Sequence, residues 1–311
     1  MMLPARTRRV GQRHWHTPSR SLAGPITGVL LLGLVVSLPE AAGQTYAVSG
    51  VVLSVDSPHH TFVASIKAIP GYMEAMAMPF AVRDEQSLRD LQPGMQVDFS
   101  LAVESDDSYA KDIRIHRYQS MEQEPLRTRR LQLMEEALRG ETPVRPLAPG
   151  QAVPDFALTD QSGRRLALSH LRGKTVALNF IYTSCPLPNY CFRLSNNFAR
   201  LQKRFANRLG KDLVLLTITF DPVHDRPEIL AKYATAWKAD PNSWHFLTGS
   251  LAEIQAVCRP YGVTAWAGEG AVTHSLHTVI IDRQGKLAAN LEGNEFSAEQ
   301  LGDLVESTLS H

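Results

Sequence analysis

The stretch TVALNFIYTSCPLPNYCFRL, residues 175–194, decides how this chain folds. It opens with a mostly apolar run, which is typical of a strand that is covered on both faces of a sheet. Cys185 and Cys191 follow at once, and two of the five residues between them are prolines. Leu194 and Phe198 then repeat at the spacing of an amphipathic helix. The stretch therefore predicts a strand, a stiff cysteine loop and a helix in immediate succession.

Beyond the cysteine loop, apolar strands continue to alternate with amphipathic helices. Residues 212–220 and 244–248 are the next predicted strands, and a hairpin around the turn at 283–285 precedes a last helix. Alternation of this kind predicts an α/β domain with a largely parallel sheet. Two cysteines after the first central strand, with a hairpin and a helix at the end, form the thioredoxin arrangement. Residues 151–311 are therefore predicted to be a thioredoxin-like α/β domain.

Helix starts in this domain carry the capping-box pattern, a short polar residue followed three positions later by glutamate or glutamine. Asp225 with Glu228 fits the pattern, which predicts that the Asp225 carboxylate caps the following helix. Ser250 and Ser297 predict two further helix starts in the same way.

The residues before this domain show a different pattern, that of short and evenly spaced strands. Between residues 46 and 118, apolar or alternating runs are separated by turn signals at Pro70-Gly71 and Pro93-Gly94. Such spacing predicts a small all-β, OB-like barrel. Residues 119–150 are predicted to form a helix followed by a proline-rich linker.

The N-terminus has the layout of an export signal. Several arginines precede the apolar run Ile26–Leu38, and the small residues Ala41-Ala42-Gly43 follow it. Residues 1–43 are therefore predicted to be a signal peptide, which implies a periplasmic or otherwise exported protein. The alternative is an uncleaved membrane anchor, and this segment is the chain's one predicted contact with a membrane. A formal net charge of +1 gives no indication of a nucleic-acid partner.

Export places the three cysteines in an oxidising compartment, where at least one must stay unpaired. Cys258 follows Ile254 at helical spacing, which predicts a buried apolar thiol. Cys185 and Cys191 are then the pair that requires an explanation. They can be a structural disulfide, a redox pair or two sulfur ligands for a metal.

Ligand chemistry favours the metal interpretation of this pair. A thiolate at a helix N-terminus is stabilised by unpaired N–H groups, and Cys185 is predicted to lie at or just before such a start. Two thiolates and one imidazole suit copper(I) and can also accept copper(II). His274, directly before the predicted hairpin, lies in the loop that faces the cysteine helix in a thioredoxin fold. Thioredoxin-type reductases normally carry a cis-proline there, whereas this loop reads Val-Thr-His-Ser.

Three stretches together carry a family resemblance, LNFIYTSCPLPNYC, TITFDPVHDRPEIL and HSLHTVIIDRQGKL. With them, residues 146–309 resemble the Sco/SenC family of copper chaperones for cytochrome oxidase assembly. The resemblance implies that Cys185, Cys191 and His274 bind copper, with Asp221 near the metal, and that an oxidase subunit receives the ion. The spacer of five residues between the cysteines departs from the three found in many members. His277, three residues after His274, is expected to lie on the opposite face of the strand and to have a surface or packing role.

Methionines mark a second candidate copper site in the first domain. Met73, Met76 and Met78 lie close together in the sequence, and thioethers are soft ligands that need no deprotonation. Residues 46–118 resemble the periplasmic copper- and silver-binding domains of the CusF type. In that family a tryptophan stands at the position of Met73 and a histidine ligand falls near Ser65 or Ile66, neither of which can replace it. The resemblance therefore implies a weaker, all-methionine site.

These observations predict an exported copper metallochaperone rather than an enzyme. The main alternative is a thiol–disulfide oxidoreductase acting on an oxidase subunit, which needs Cys185 and Cys191 but not His274. A further alternative is periplasmic sequestration of copper or silver for tolerance. A disulfide between the two cysteines would control when the metal can bind.

Overall fold

The computed structural model describes residues 44–105, 107–116, 145–186, 188–263, 265–268 and 271–310, with the backbone alone between 265 and 274. The predicted signal peptide and most of the predicted linker lie outside these residues and stay predictions. Among the helices that are described, none has the combination of length and apolar character needed to cross a bilayer.

The first domain is an antiparallel sheet of five strands in the order β3-β2-β1-β4-β5. Alternate residues of β1, such as Val48 and Val52, point into a core built around three phenylalanines. Phe62 and Phe80 are stacked, and Phe99 meets both of them edge to face. The strands are β1 (Gln44–Asp56), β2 (Thr61–Ile66), β3 (Met76–Ala81), β4 (Gln96–Val103) and β5 (Ser108–His116). The predicted all-β domain is confirmed.

Closure of this sheet into a barrel is not confirmed. An isolated bridge between Val82 and Ala110 joins the end of β3 to β5, but the described residues show no ladder between these two strands. Register shifts after Val52 in β1 and after Asp98 in β4 mark bulges, which bend and twist a sheet locally.

The second domain is built on a sheet of seven strands in the order β14-β13-β8-β9-β10-β6-β7. Its centre, β8 to β10, is parallel, and every residue of these three strands is buried, as the apolar runs predict. The strands are β6 (Ala157–Asp160), β7 (Arg165–Ala167), β8 (Thr175–Ile181), β9 (Leu213–Thr219), β10 (Trp244–Thr248), β13 (His277–Ile281) and β14 (Leu287–Glu292). A separate hairpin is formed by β11 (Ala265–Gly268) and β12 (Ala271–His274). The thioredoxin-like α/β fold is confirmed.

Four helices accompany this sheet, α1 (Arg193–Arg204), α2 (Pro227–Ala236), α3 (Leu251–Cys258) and α4 (Ala298–Leu309). The predicted capping boxes at Ser250 and Ser297 are both present. The predicted cap of α2 is wrong, because the N-cap residue is Arg226 and its side chain makes no capping hydrogen bond. The Asp225 carboxylate is buried and bonds elsewhere, as described below.

Helix α4 packs against strands of both sheets. The amide of Gln300 accepts a hydrogen bond from Ser297 N within the capping box and donates another to the carbonyl oxygen of Ser65 in β2, at 3.0 Å. Val51 and Leu53 of β1 belong to the hydrophobic core of the α/β domain, not to that of their own sheet. The outer face of β1 and β2 is therefore buried against the second domain, which the sequence analysis did not anticipate.

Candidate metal centre

The cysteine loop connects the end of β8 to the start of α1. A single wide helical turn, Pro188–Phe192, leads into α1, and Cys191 lies within it. Cys185 precedes this turn by three residues, and its N–H lies 3.4 Å from the carbonyl oxygen of Tyr182. Cys185 therefore lies just outside the helical turn, on its N-terminal side, and Cys191 lies inside it. Proline disfavours helical backbone at the residue before it, which agrees with the position of Cys185, directly before Pro186, outside the helix.

The side chains of Cys185 and Cys191 are hydrogen-bonded to each other, and both are thiols in this structure. Cys191 is 1% exposed, whereas Cys185 is half-buried. The neighbouring Cys185, together with burial, raises the pKa of the Cys191 thiol well above its usual range. The loop thus presents two soft donor atoms side by side, one accessible from outside and one enclosed.

Cys258 lies apart from this pair at the end of α3. It is buried, and burial raises the pKa of its thiol to about 12. A thiol that is so hard to ionise is a poor metal ligand, since the thiolate is the binding form. The prediction that Cys258 is a buried thiol is confirmed.

The first residue of the loop is tied to the end of β9 through Asp225. This carboxylate accepts hydrogen bonds from the backbone N–H and the hydroxyl of Thr183 and from the hydroxyl of Thr219. At the other end of the loop, the Asn294 side chain donates to the carbonyl oxygen of Asn189. Asp225 and Asn294 are both buried, so the loop is held from within the domain.

Asp221 lies two residues beyond β9, in the segment that also supplies Asp225. Both of its carboxylate oxygens are 2.9 Å from Nδ1 of His224, whose side chain is largely exposed. The sequence analysis overlooked His224, although a histidine three residues after an acidic residue is visible in the sequence. A role for Asp221 near a metal stays a prediction.

The predicted third ligand can be located only by its backbone. His274 is the last residue of β12 and pairs with Ala265, but its side chain lies outside the part of the molecule that is described. Among the described side chains, no three histidine, cysteine or carboxylate residues form a metal-binding group. Copper ligation by His274 therefore stays a prediction.

His277 is buried inside the domain. Its Nδ1 is 2.9 Å from Oδ1 of Asn290, and the Asn290 amide donates to the carbonyl oxygen of Tyr261. Burial lowers the pKa of His277, so the neutral imidazole is favoured. The predicted packing role of His277 is confirmed.

Aromatic residues of α2 line the region of the thiol pair. The Tyr233 hydroxyl is 2.9 Å from the Ser195 hydroxyl in α1, and Trp237 packs against Phe192, the residue after Cys191. Burial raises the pKa of Tyr233, and the nearby Cys191 and Cys185 raise it further. The sequence indicates that Tyr233 lies on the packing face of a helix. It does not indicate that this face lies near the cysteines.

In the first domain, Met76 and Met78 share one face of β3, as predicted. They pair across the sheet with Ile66 and Ala64, whose side chains belong to the core. Met76 is 49% exposed, while Met73 and Met78 are partly buried against that core. A metal could approach this group through Met76.

Ser65 lies on the opposite face of the sheet. It is buried, and its hydroxyl donates a 2.6 Å hydrogen bond to the carboxylate of Asp303 in α4. Of the two positions near which the resemblance implies a histidine ligand, Ser65 therefore contacts the second domain, whereas Ile66 is buried in the core of the first domain. The methionine site stays a prediction.

Comparison with known proteins agrees with both resemblances. Residues 145–310 match the family model SCO1/SenC, and residues 45–115 match that of the copper binding periplasmic protein CusF. A SCO1 protein homolog of Bacillus subtilis is 27% identical over 147 residues, which are 46% of this chain and 75% of that protein. A SCO2-like protein of Rickettsia typhi is 29% identical over 140 residues, 42% of this chain and 65% of that protein.

Solved structures include that of Arabidopsis thaliana ScoI with copper bound, which is 26% identical with a TM-score of 0.46. The match covers 51% of this chain and 100% of that one. The SCO1/SenC model spans more than half of the present sequence, including the cysteine loop and the residues around His274. The chain belongs to the SCO1/SenC family.

Proposed function

We propose that this protein is an exported copper metallochaperone that binds the ion through Cys185, Cys191 and His274. The observation that carries the proposal is the contact between the Cys185 and Cys191 thiols in a loop held from both ends. Two thiolates at one point are a strong soft-donor set for copper(I), and an imidazole completes a trigonal site. Binding releases the thiol protons, so uptake should weaken as the pH falls.

The unequal exposure of the two cysteines supports a delivery role. Cys191 is enclosed, whereas the half-buried Cys185 can be reached by a ligand from another protein. Copper would leave by ligand exchange, one sulfur at a time, and Cys185 would be displaced first. The recipient we propose is a subunit of cytochrome c oxidase, because BsSco, a relative of known structure, is described as a member of the Sco family of cytochrome c oxidase assembly proteins.

The first domain would collect or relay the ion through Met73, Met76 and Met78. The CusF match over residues 45–115 and the exposure of Met76 support this role. The same match, to a periplasmic protein, supports export, which the N-terminal sequence predicts.

A second candidate is a thiol–disulfide oxidoreductase. The observation that favours it is again the contact between the two thiols, which places them within reach of disulfide formation. This activity requires both cysteines but not His274. The two functions can therefore be separated by one substitution.

The experiment compares copper(I) uptake by the reduced, full-length protein with that of Cys185→Ser, Cys191→Ser and His274→Ala. Cys258→Ser serves as the matched control, since it removes a buried thiol that lies apart from the pair. The proposal expects loss of one copper equivalent in the first three variants and none in the control. Uptake that is unchanged in Cys185→Ser would refute it. If His274→Ala lost thiol–disulfide exchange but still took up copper, the result would contradict the proposed ligand role of His274. It would also contradict the redox alternative, which does not require this residue.

A further inference from the structure

Asp225 is a buried carboxylate that none of the predicted roles explains. It is 1% exposed and does not cap α2, although the sequence pattern predicts that it should. Its hydrogen-bond partners are Thr183, which opens the cysteine loop, and Thr219, the last residue of β9. Burying a carboxylate is costly unless hydrogen bonds compensate, so this residue must be held for a reason.

The hydrogen bonds of Asp225 fix the backbone from which Cys185 extends. Oδ2 accepts from Thr183 N at 3.0 Å and from the Thr219 hydroxyl at 2.5 Å, while Oδ1 accepts from the Thr183 hydroxyl. Thr219 Oγ1 also accepts from Asp221 N at 3.0 Å. Thr183 is therefore anchored two residues before Cys185, and the same network orders the segment that carries Asp221.

We infer that Asp225 is a positioning residue, which holds the cysteine loop so that the Cys185 and Cys191 thiols meet before any metal arrives. Its carboxylate acts through Thr183 and does not itself touch the ion. Without it, the start of the loop would lose the two hydrogen bonds that Thr183 donates, and Thr219 at the end of β9 would lose the third. The thiols would then be in contact for a smaller fraction of the time, which weakens every process that needs both sulfurs at once.

Two substitutions separate positioning from simple loss of a side chain. Asp225→Ala removes all three hydrogen bonds. In Asp225→Asn the amide oxygen can accept from Thr183 N and Thr219, and its NH₂ can donate to the Thr183 hydroxyl, which then accepts. The alanine variant should therefore be impaired and the asparagine variant should recover most of the wild-type behaviour.

Asp160 provides the matched control. It is also buried, at 2% exposure, and its carboxylate accepts hydrogen bonds from the backbone and hydroxyl of Ser162 and from Arg164 N. These bonds close the turn between β6 and β7, not the cysteine loop. Asp160→Ala should lower the stability of the fold while leaving the thiol pair unchanged.

The first measurement uses the metal-free, full-length protein equilibrated with reduced and oxidised dithiothreitol. When Cys185 and Cys191 form a disulfide they lose two electrons and two protons, which reduce one molecule of oxidised dithiothreitol to its dithiol. The equilibrium constant gives the effective concentration of the pair. Asp225→Ala should lower it by about 10-fold or more, since a single hydrogen bond to a charged group typically contributes a factor of about 10 or more. Asp225→Asn and Asp160→Ala should stay close to wild type.

The second measurement is copper(I) affinity by competition with a chromogenic chelator, and this arm rests on the proposed function. The variants should rank in copper(I) affinity as they do in the dithiothreitol equilibrium, and Asp225→Ala should lose about 10- to 100-fold in affinity. If the wild type takes up no copper(I), the proposed function fails, but the dithiothreitol equilibrium still decides the role of Asp225. Thr183→Val, which removes one hydroxyl alone, covers the case in which Asp225→Ala does not fold, and it should show a smaller loss.

Two results would overturn the inference. One is a folded Asp225→Ala protein, or Thr183→Val in its place, with wild-type effective concentration. The other is an equal loss in Asp160→Ala, which would show that both variants act through general destabilisation.

Discussion

The hydroxyl of Ser65, in the five-stranded sheet, donates a 2.6 Å hydrogen bond to the carboxylate of Asp303 in helix α4 of the α/β domain. The other oxygen of Asp303 accepts from Arg204 in α1 at 2.7 Å. Nearby, Gly94 approaches β14 so closely that an added Cβ would lie 3.0 Å from the Cβ of Ala289. The two domains are therefore held together by specific contacts, which places a copper-collecting and a copper-delivering domain in one body under the proposed function.

A substitution at Gln300 tests this contact between the two domains. Gln300→Glu keeps the acceptor that caps α4 but replaces the donor facing the Ser65 carbonyl with a second acceptor. We expect a loss of about 1–3 kcal/mol in the free energy of unfolding, the usual effect of leaving a buried polar group unsatisfied. Urea denaturation measures it.

The matched control for Gln300→Glu is the reverse exchange in the other capping box. Glu253→Gln retains the capping acceptor of α3 and weakens an exposed ion pair with Arg165. Exposed pairs contribute about 0–1 kcal/mol, so this variant should be nearly neutral. Equal losses in the two variants would show that the interdomain hydrogen bond contributes nothing.

His277 should make stability depend on pH. Burial lowers its pKa in the folded protein, whereas the unfolded chain titrates near about 6.5. As the pH falls below that value, the unfolded state binds a proton that the folded state resists, so stability decreases towards acid. His277→Gln should reduce this slope between pH 7 and pH 5, measured by urea denaturation at each pH. Part of the pH dependence should remain in this variant, because burial also lowers the pKa of His245. An unchanged slope in His277→Gln would contradict the assignment.

The three cysteines should react with an alkylating reagent in a fixed order. Cys185 is half-buried, whereas Cys191 and Cys258 are both buried. We expect Cys185 to be modified first, and Cys258 to react only when the protein opens, because burial raises the pKa of its thiol to about 12. Peptide mapping by mass spectrometry over time gives the order. Early modification of Cys258 would contradict the burial that the structure shows.

The methionine site should account for one copper equivalent. Met76→Leu with Met78→Leu removes the thioethers while preserving volume, an exchange that usually costs less than about 1.5 kcal/mol. The stoichiometry of copper(I) should fall from two ions to one in the full-length protein. Met95→Leu is the control, since Met95 packs against the same core outside the cluster. Two ions bound by the double variant would exclude the methionines as ligands.

The sequence predicts the elements of this fold well where local pattern and burial agree. The strands β8 to β10 are mostly apolar runs, and the structure buries all of their residues. Ser250 and Ser297 cap their helices as the local spacing requires. Burial of Cys258 likewise follows from its helical spacing with Ile254.

Features that depend on contacts between distant segments were missed. Asp225 fits a capping box by spacing, but Thr183, 42 positions away in the sequence, offers donors that only the assembled sheet brings within reach. The hydrogen bond between Gln300 and Ser65 could not be predicted for the same reason, since these two residues lie 235 positions apart in the sequence.

X-ray absorption on copper-loaded protein tests the central claim most directly. The measurement uses the full-length Met76→Leu, Met78→Leu variant, so that one proposed site remains. Our account predicts a single copper with two sulfur donors and one nitrogen donor, and loss of the nitrogen signal in the additional presence of His274→Ala. A copper bound without two sulfur donors, or a spectrum that Cys185→Ser leaves unchanged, would contradict it.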